Sequence, residues 1–191
     1  MIIKCYNEKH KYLLFIDLEF NNRELIQFSG LLFTQIDDDG TYQLMRSVNQ
    51  YVCSKVCYSF TEYTNITNTF LSQNGIPLKD LISFISEDFL KDINLSELLL
   101  ISHGLKNDRM VMNECGINLK FDNNEKPIDG YCTFTNGRRI LKRKKRLALS
   151  DLATEAGYYI HNAHNAYADV WAEVAVFTYL KKIEEQNKGD Y

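Results

Sequence analysis

Four carboxylates and a histidine in this sequence are of types that could bind a hard cation and move a proton. Asp17 and Glu19 lie inside FIDLEF, residues 15–20, among Phe15, Ile16, Leu18 and Phe20. An unpaired buried charge costs several kcal/mol, so this pair calls for a compensating partner. In a strand, residues i and i+2 project from one face. Asp17 and Glu19 therefore point together, and Ile16, Leu18 and Phe20 take the other face. Adjacent carboxylates raise each other's pKa unless a cation lies between them, and a hard divalent ion with oxygen ligands suits that place. The same D-x-E also fits two exposed acids on an edge strand. Asp108 lies in ISHGLKNDRM, residues 101–110, just beyond an apolar run. Functional groups gather beyond strand ends in α/β sheets, although a first-turn acid is also favoured by the helix dipole. Asp169 opens the last helix in HNAHNAYADVWAEV, residues 161–174, with His164 five residues before it. A loop histidine beside a metal-binding carboxylate can act as a base. His161 competes for that role.

The elements that must position these groups follow from hydrophobic periodicity. Strands are expected over 12–18, 24–36 and 41–52, with DDDG at 37–40 as a turn, and short connections make them an antiparallel meander. A short helix is expected within 65–75. Over 77–90, Leu78, Leu81, Ile82, Ile85 and Phe89 share one helical face behind Pro77. LLLIS, 98–102, has the all-apolar character of a parallel strand covered on both faces. NDRMVMNEC is helical, and IDG at 128–130 ends a further strand. A helix over 147–157 closes at Gly157, and residues 169–185 form the longest one. The class is α/β: one mixed sheet flanked by helices, in a single domain over 1–191.

The composition agrees with a folded globule: 45% of the 191 residues are hydrophobic and 13% aromatic. The first residues are charged where a signal peptide needs an apolar stretch, and no run approaches a membrane span, so a cytoplasmic protein is expected. The five cysteines are scattered. Cys53 and Cys57 lack a second Cys/His pair, which leaves no zinc site and favours reduced packing thiols. The net charge of −3 conceals RRILKRKKR, residues 138–146, where seven of nine residues are basic. Such a block binds polyanions or forms a solvated loop.

Taken in order, D-x-E on the first strand, Asp after the fourth strand and H-x4-D before the last helix resemble the DEDDh exonucleases, the DnaQ-like family with an RNase H-like fold. The resemblance covers about residues 12–180. Asn165 stands where the tyrosine branch of that family carries Tyr, which places the likeness in the histidine branch. EYTNITNTFLSQNG, 62–75, looks like the segment beside the terminal nucleotide, with Thr67 and Asn68 at the family's T-G stretch. Asn68 departs from the usual Gly, Phe20 from the usual Thr, and HGLKND from H-N-x-x-F-D. DLEF and GLKNDRMVM look more like the KapD and Eri subgroup, which leans toward RNA.

The resemblance implies a five-stranded mixed sheet and two divalent cations, Mg²⁺ or Mn²⁺. Asp17, Glu19 and Asp169 would hold one ion. Asp17 would bridge to the second, with Asp108 reaching it directly or through water. His164 would take a proton from the attacking water. The substrate would be a single-stranded DNA or RNA 3′ end, and the product a nucleoside monophosphate. Phe20 would stack on a terminal base, and Lys142, Arg143, Lys144 and Lys145 would contact phosphates. Two other roles fit the same residues: a proofreading or processing subunit with a polymerase or other protein partner, and a nucleic-acid-binding module without catalysis.

Overall fold

The computed structural model describes residues 1–6, 8–121, 126–145, 147–160 and 164–188. His161 and Arg146 lie outside the described residues. Three long strands form the meander: β2 (Tyr12–Asn21), β3 (Glu24–Gln35) and β4 (Thr41–Tyr51). β1 (Ile2–Lys4) pairs antiparallel with β4, and β5 (Leu98–Ser102) pairs parallel with β2. A small hairpin joins β6 (Lys120–Phe121) to β7 (Lys126–Pro127) apart from the sheet, and β8 (Asp129–Cys132) lies parallel to β5. The main sheet runs β1-β4-β3-β2-β5-β8. It contains the five strands expected and a sixth, β1, whose three residues are too few to show an alternation.

Helices cover both faces. After β4 come α1 (Tyr58–Thr64), α2 (Asn68–Asn74) and α3 (Leu78–Phe84), the last continuing as a π turn over Ile85–Phe89. α4 (Leu105–Glu114) follows β5 directly. α5 (Thr133–Ile140) and α6 (Leu149–Glu155) precede α7 (Ala166–Lys188). Two of these depart from expectation. α1 has no buried residue and so no apolar stripe to announce it. α5 takes in Arg138 and Arg139, so the basic run starts in a helix and not in a loop. No described helix is long and apolar enough to cross a membrane.

The period of two in β2 divides the core. Leu14, Ile16 and Leu18 pack with Leu81, Ile85, Val111 and Met112 on one face of the sheet. Leu13 and Phe15 pack with Val170, Val174 and Phe177 of α7 on the other. Asp17 and Glu19 continue the second series, so the alternation aims them at the face that α7 covers. Phe15 meets Phe33 and Phe177 edge-to-face at centroid distances of 5.6 and 5.4 Å, which seats α7 firmly on β2. The β2–β3 register slips between Glu19 and Phe20. Such a bulge re-aims side chains at a strand end, and here it lies beside the second acid of the pair.

Candidate active site

A cleft of about 510 Å³ opens where the C-terminal ends of β2 and β5 meet α7. Asp17, Glu19, Asp108, His164 and Asp169 all line it. Oxygens of Asp17, Glu19 and Asp169 lie within 4.8 Å of one another. Asp108 lines the same cleft but stands outside that group of three among the described residues. It is buried, and its Oδ2 accepts a very short hydrogen bond from the Ser102 hydroxyl at the end of β5. The Gly104 N–H in turn donates to Ser102 Oγ at 3.1 Å. The end of β5 therefore fixes the rotamer of the acid that opens α4.

Electrostatics mark the cluster as incomplete. Burial pushes the Asp17 carboxyl well above the ordinary carboxylate range, and the charges of Asp108, Asp169 and Glu19 add to the effect. Burial and the charge of Asp169 raise Glu19 to about 7. Burial raises Asp108 to about 6 against the opposing hydrogen bond from Ser102. Asp169 is raised by burial and partly relieved by its bond from His164. No lysine or arginine is among the described residues lining the cleft. All the donors are carboxylate oxygens, the set preferred by Mg²⁺ and Mn²⁺. The residues present therefore fit a hard divalent cation.

His164 occupies the left-handed region, with φ 66°. That is an uncommon conformation for a non-glycine residue, and it concentrates at functional sites. Its N–H donates to Asp169 Oδ2 at 3.0 Å. Its ring lies against Tyr63, centroids 3.8 Å apart. One carboxylate thus belongs to the cation cluster and holds the backbone of the histidine. Tyr63 is 62% exposed and forms part of the cleft wall with Phe20 and Phe134.

The other nominated residues are placed differently. Phe20 reaches the cleft. Thr67 caps α2 by accepting from the Phe70 N–H at 3.1 Å, and the Asn68 amide is occupied with the Val56 backbone at 2.8 and 3.0 Å. Both have local structural work, and neither lines the cleft. Arg143, itself exposed, is bound to both carboxylate oxygens of Glu155, whereas Lys142, Lys144 and Lys145 are exposed and make no ion pair among the described residues. The run connects to the cleft through Leu147, whose carbonyl accepts from His103 Nε2 at 3.0 Å.

The motif reading assigns no role to two residues that bear on the site. His103, at the end of β5, has its Nδ1 3.0 Å from Thr133 Oγ1 and its N–H 2.7 Å from Glu173 Oε1. Glu173 is fully buried. Its signal in the sequence is an acid four residues after Asp169 in an otherwise apolar stretch.

No protein-family model and no curated protein matches the sequence. Solved structures match over nearly its whole length, among them several named as exonucleases. The nuclease domain of 3′hExo, a DEDDh family member bound to rAMP, is 15% identical with a TM-score of 0.68, covering 91% of this chain and 92% of that one. Exonuclease X in complex with 5′ overhanging duplex DNA is 15% identical, TM-score 0.61, covering 89% and 91%. Exonuclease I of E. coli with a dT13 oligonucleotide is 15% identical, TM-score 0.69, covering 94% of this chain but 43% of that one. The mixed, helix-flanked sheet is thus the RNase H-like sheet of these enzymes.

Proposed function

We propose that this chain is a metal-dependent 3′→5′ exonuclease that releases nucleoside monophosphates from single-stranded ends. The observation that carries it is the convergence of Asp17, Glu19 and Asp169 within 4.8 Å, in a cleft that Asp108 and His164 also line. Asp17, Glu19 and Asp169 would hold one divalent cation, and Asp108, on the same cleft, would help to hold a second. Such ions would supply charge stabilisation to the attacking and leaving oxygens of an in-line phosphoryl displacement. His164 takes a proton from the attacking water. Asp169 keeps it in place through the bond to its N–H. The water oxygen joins phosphorus as the bond to the 3′-oxygen breaks; the 3′-oxygen takes a proton from solvent, leaving a nucleoside 5′-monophosphate and a strand one nucleotide shorter that ends in a 3′-hydroxyl. Phe20 and Tyr63 offer the terminal base aromatic faces, and Lys142, Lys144 and Lys145 meet phosphates farther along the strand without reading sequence.

The test uses DNA and RNA single strands of equal length, labelled at either end, with Mg²⁺, Mn²⁺ or EDTA. Mononucleotide from the 3′ end, dependent on metal, is expected. Undiminished degradation in excess EDTA, or 5′ label as the first product, refutes the proposal.

A further inference from the structure

Glu173 belongs to none of the three motifs, yet it is the only fully buried acid of α7 among the described residues. It lies four residues after Asp169, so both carboxylates leave the helix on one face. Oε1 accepts the His103 N–H at 2.7 Å. Oε2 is buried and has no hydrogen-bond partner among the described residues. His103 sits between Ser102, whose hydroxyl holds Asp108, and Gly104, which opens α4. One oxygen therefore pins the turn that delivers Asp108. The other is left without a donor among the described residues, and burial, with the charges of Asp17 and Asp108, pushes this carboxyl well above the ordinary carboxylate range, so its negative charge is opposed until a cation is present. A buried acceptor in that condition is costly. The described cleft lining offers no lysine or arginine to relieve it, whereas a dication in the cluster would.

We propose that Glu173 is a positioning residue of the metal centre with two separable parts. Its reach fixes the His103 turn and with it Asp108. Its charge strengthens the hold of the Asp17, Glu19 and Asp169 cluster on a divalent cation. The proposal rests on the preceding reading of the cleft as a metal site.

Two variants separate the parts. Glu173→Gln keeps the length and an acceptor for the His103 N–H but removes the charge. Glu173→Asp keeps the charge and shortens the reach by one methylene. Calorimetric titration with Mn²⁺ alone should show about tenfold weaker binding at the Asp17, Glu19 and Asp169 site for Glu173→Gln, the scale of one nearby charge acting on a dication, and little change at that site, which does not include Asp108, for Glu173→Asp. Single-turnover cleavage at saturating Mn²⁺ should reverse the order, with Glu173→Gln near wild type and Glu173→Asp slowed about tenfold as Asp108 drifts. Mn²⁺ affinity of Glu173→Gln within twofold of wild type overturns the part played by charge. A wild-type rate in Glu173→Asp overturns the part played by reach. Where a variant does not fold, hydrogen exchange of the wild-type His103 amide decides: Mn²⁺ should slow it, and indifference to Mn²⁺ overturns the proposal. A wild-type protein that binds Mn²⁺ but cuts no nucleic acid defeats the nuclease reading alone, because the calorimetry still measures Glu173.

Discussion

Raising the pH of the metal-free protein from 5.5 to 8 should destabilise it, and divalent cations should reverse the trend. Glu19 is raised from 4.5 to about 7, and Asp108 from 3.8 to about 6. Both acids bind protons more tightly folded than unfolded. Their contribution is fully present below the unfolded values and is lost as pH rises to the folded ones. At about 1.4 kcal/mol for each tenfold in proton affinity, the interval from 5.5 upward removes about 2 kcal/mol at Glu19 and under about 1 kcal/mol at Asp108. Asp17 and Asp169, also raised, act in the same direction. Glu8 and Asp37 are held below their ordinary values of 4.5 and 3.8, so they titrate beneath this window. A loss of about 3 kcal/mol corresponds to about 6–12 °C in melting temperature for a chain of this size. The assay is thermal melting followed by circular dichroism at constant ionic strength, in EDTA and in Mn²⁺. Cations compete with protons for the same oxygens, so the stabilisation by Mn²⁺ should grow as pH rises. A metal-free melting temperature that is flat or rising from pH 5.5 to 8 refutes the reasoning. So does an Mn²⁺ stabilisation equal at both ends of the range.

The remaining predictions separate the roles in the cleft and at the basic run. Asp17→Asn should abolish turnover yet raise the metal-free melting temperature, because it removes the charge most opposed by burial and neighbours; a variant that is inactive and less stable contradicts this. His164→Ala should bind metal and substrate but slow the chemical step by about 10²–10⁴-fold, with residual single-turnover rate rising with pH; near-wild-type rates, with His161→Ala crippled instead, overturn the assignment. Replacing Lys142, Lys144 and Lys145 with Ala should weaken binding to all single strands alike and lower the log–log salt slope by about 0.7 for each phosphate no longer neutralised, whereas Arg143→Ala should mainly release Glu155; an unchanged affinity and slope in the triple variant make the run a solvated surface.

Much of the candidate site is legible in the chain because its signals are local. Strand alternation alone puts Asp17 and Glu19 on one face, and the apolar LLLIS stretch marks the parallel strand that ends before Asp108. The five-residue interval from His164 to Asp169 survives as a direct bond between them. Other features had no local signal. The π turn at Ile85–Phe89 falls inside a regular helical pattern, and α1 has no apolar stripe. Thr67 and Asn68 stand at the positions of the family's T-G stretch but serve a cap and the Val56 backbone. Arg143 reads as one free cation among several until Glu155, twelve positions away, is seen to bind it.

Which acids share a face, and in what order the elements come, can be read from the chain alone, since both follow from periods of two and 3.6 along a few residues. Tertiary structure decided which of those acids meet. Asp17 and Asp169 are separated by most of the chain, and they converge only because Phe177, Val170 and Val174 seat α7 on the β2 face that also carries Leu13 and Phe15. The same packing turned Glu173 inward to the His103 N–H, a role that no spacing encodes. A side chain's face is set by its own backbone, whereas its partner is set by which distant apolar surfaces bury each other.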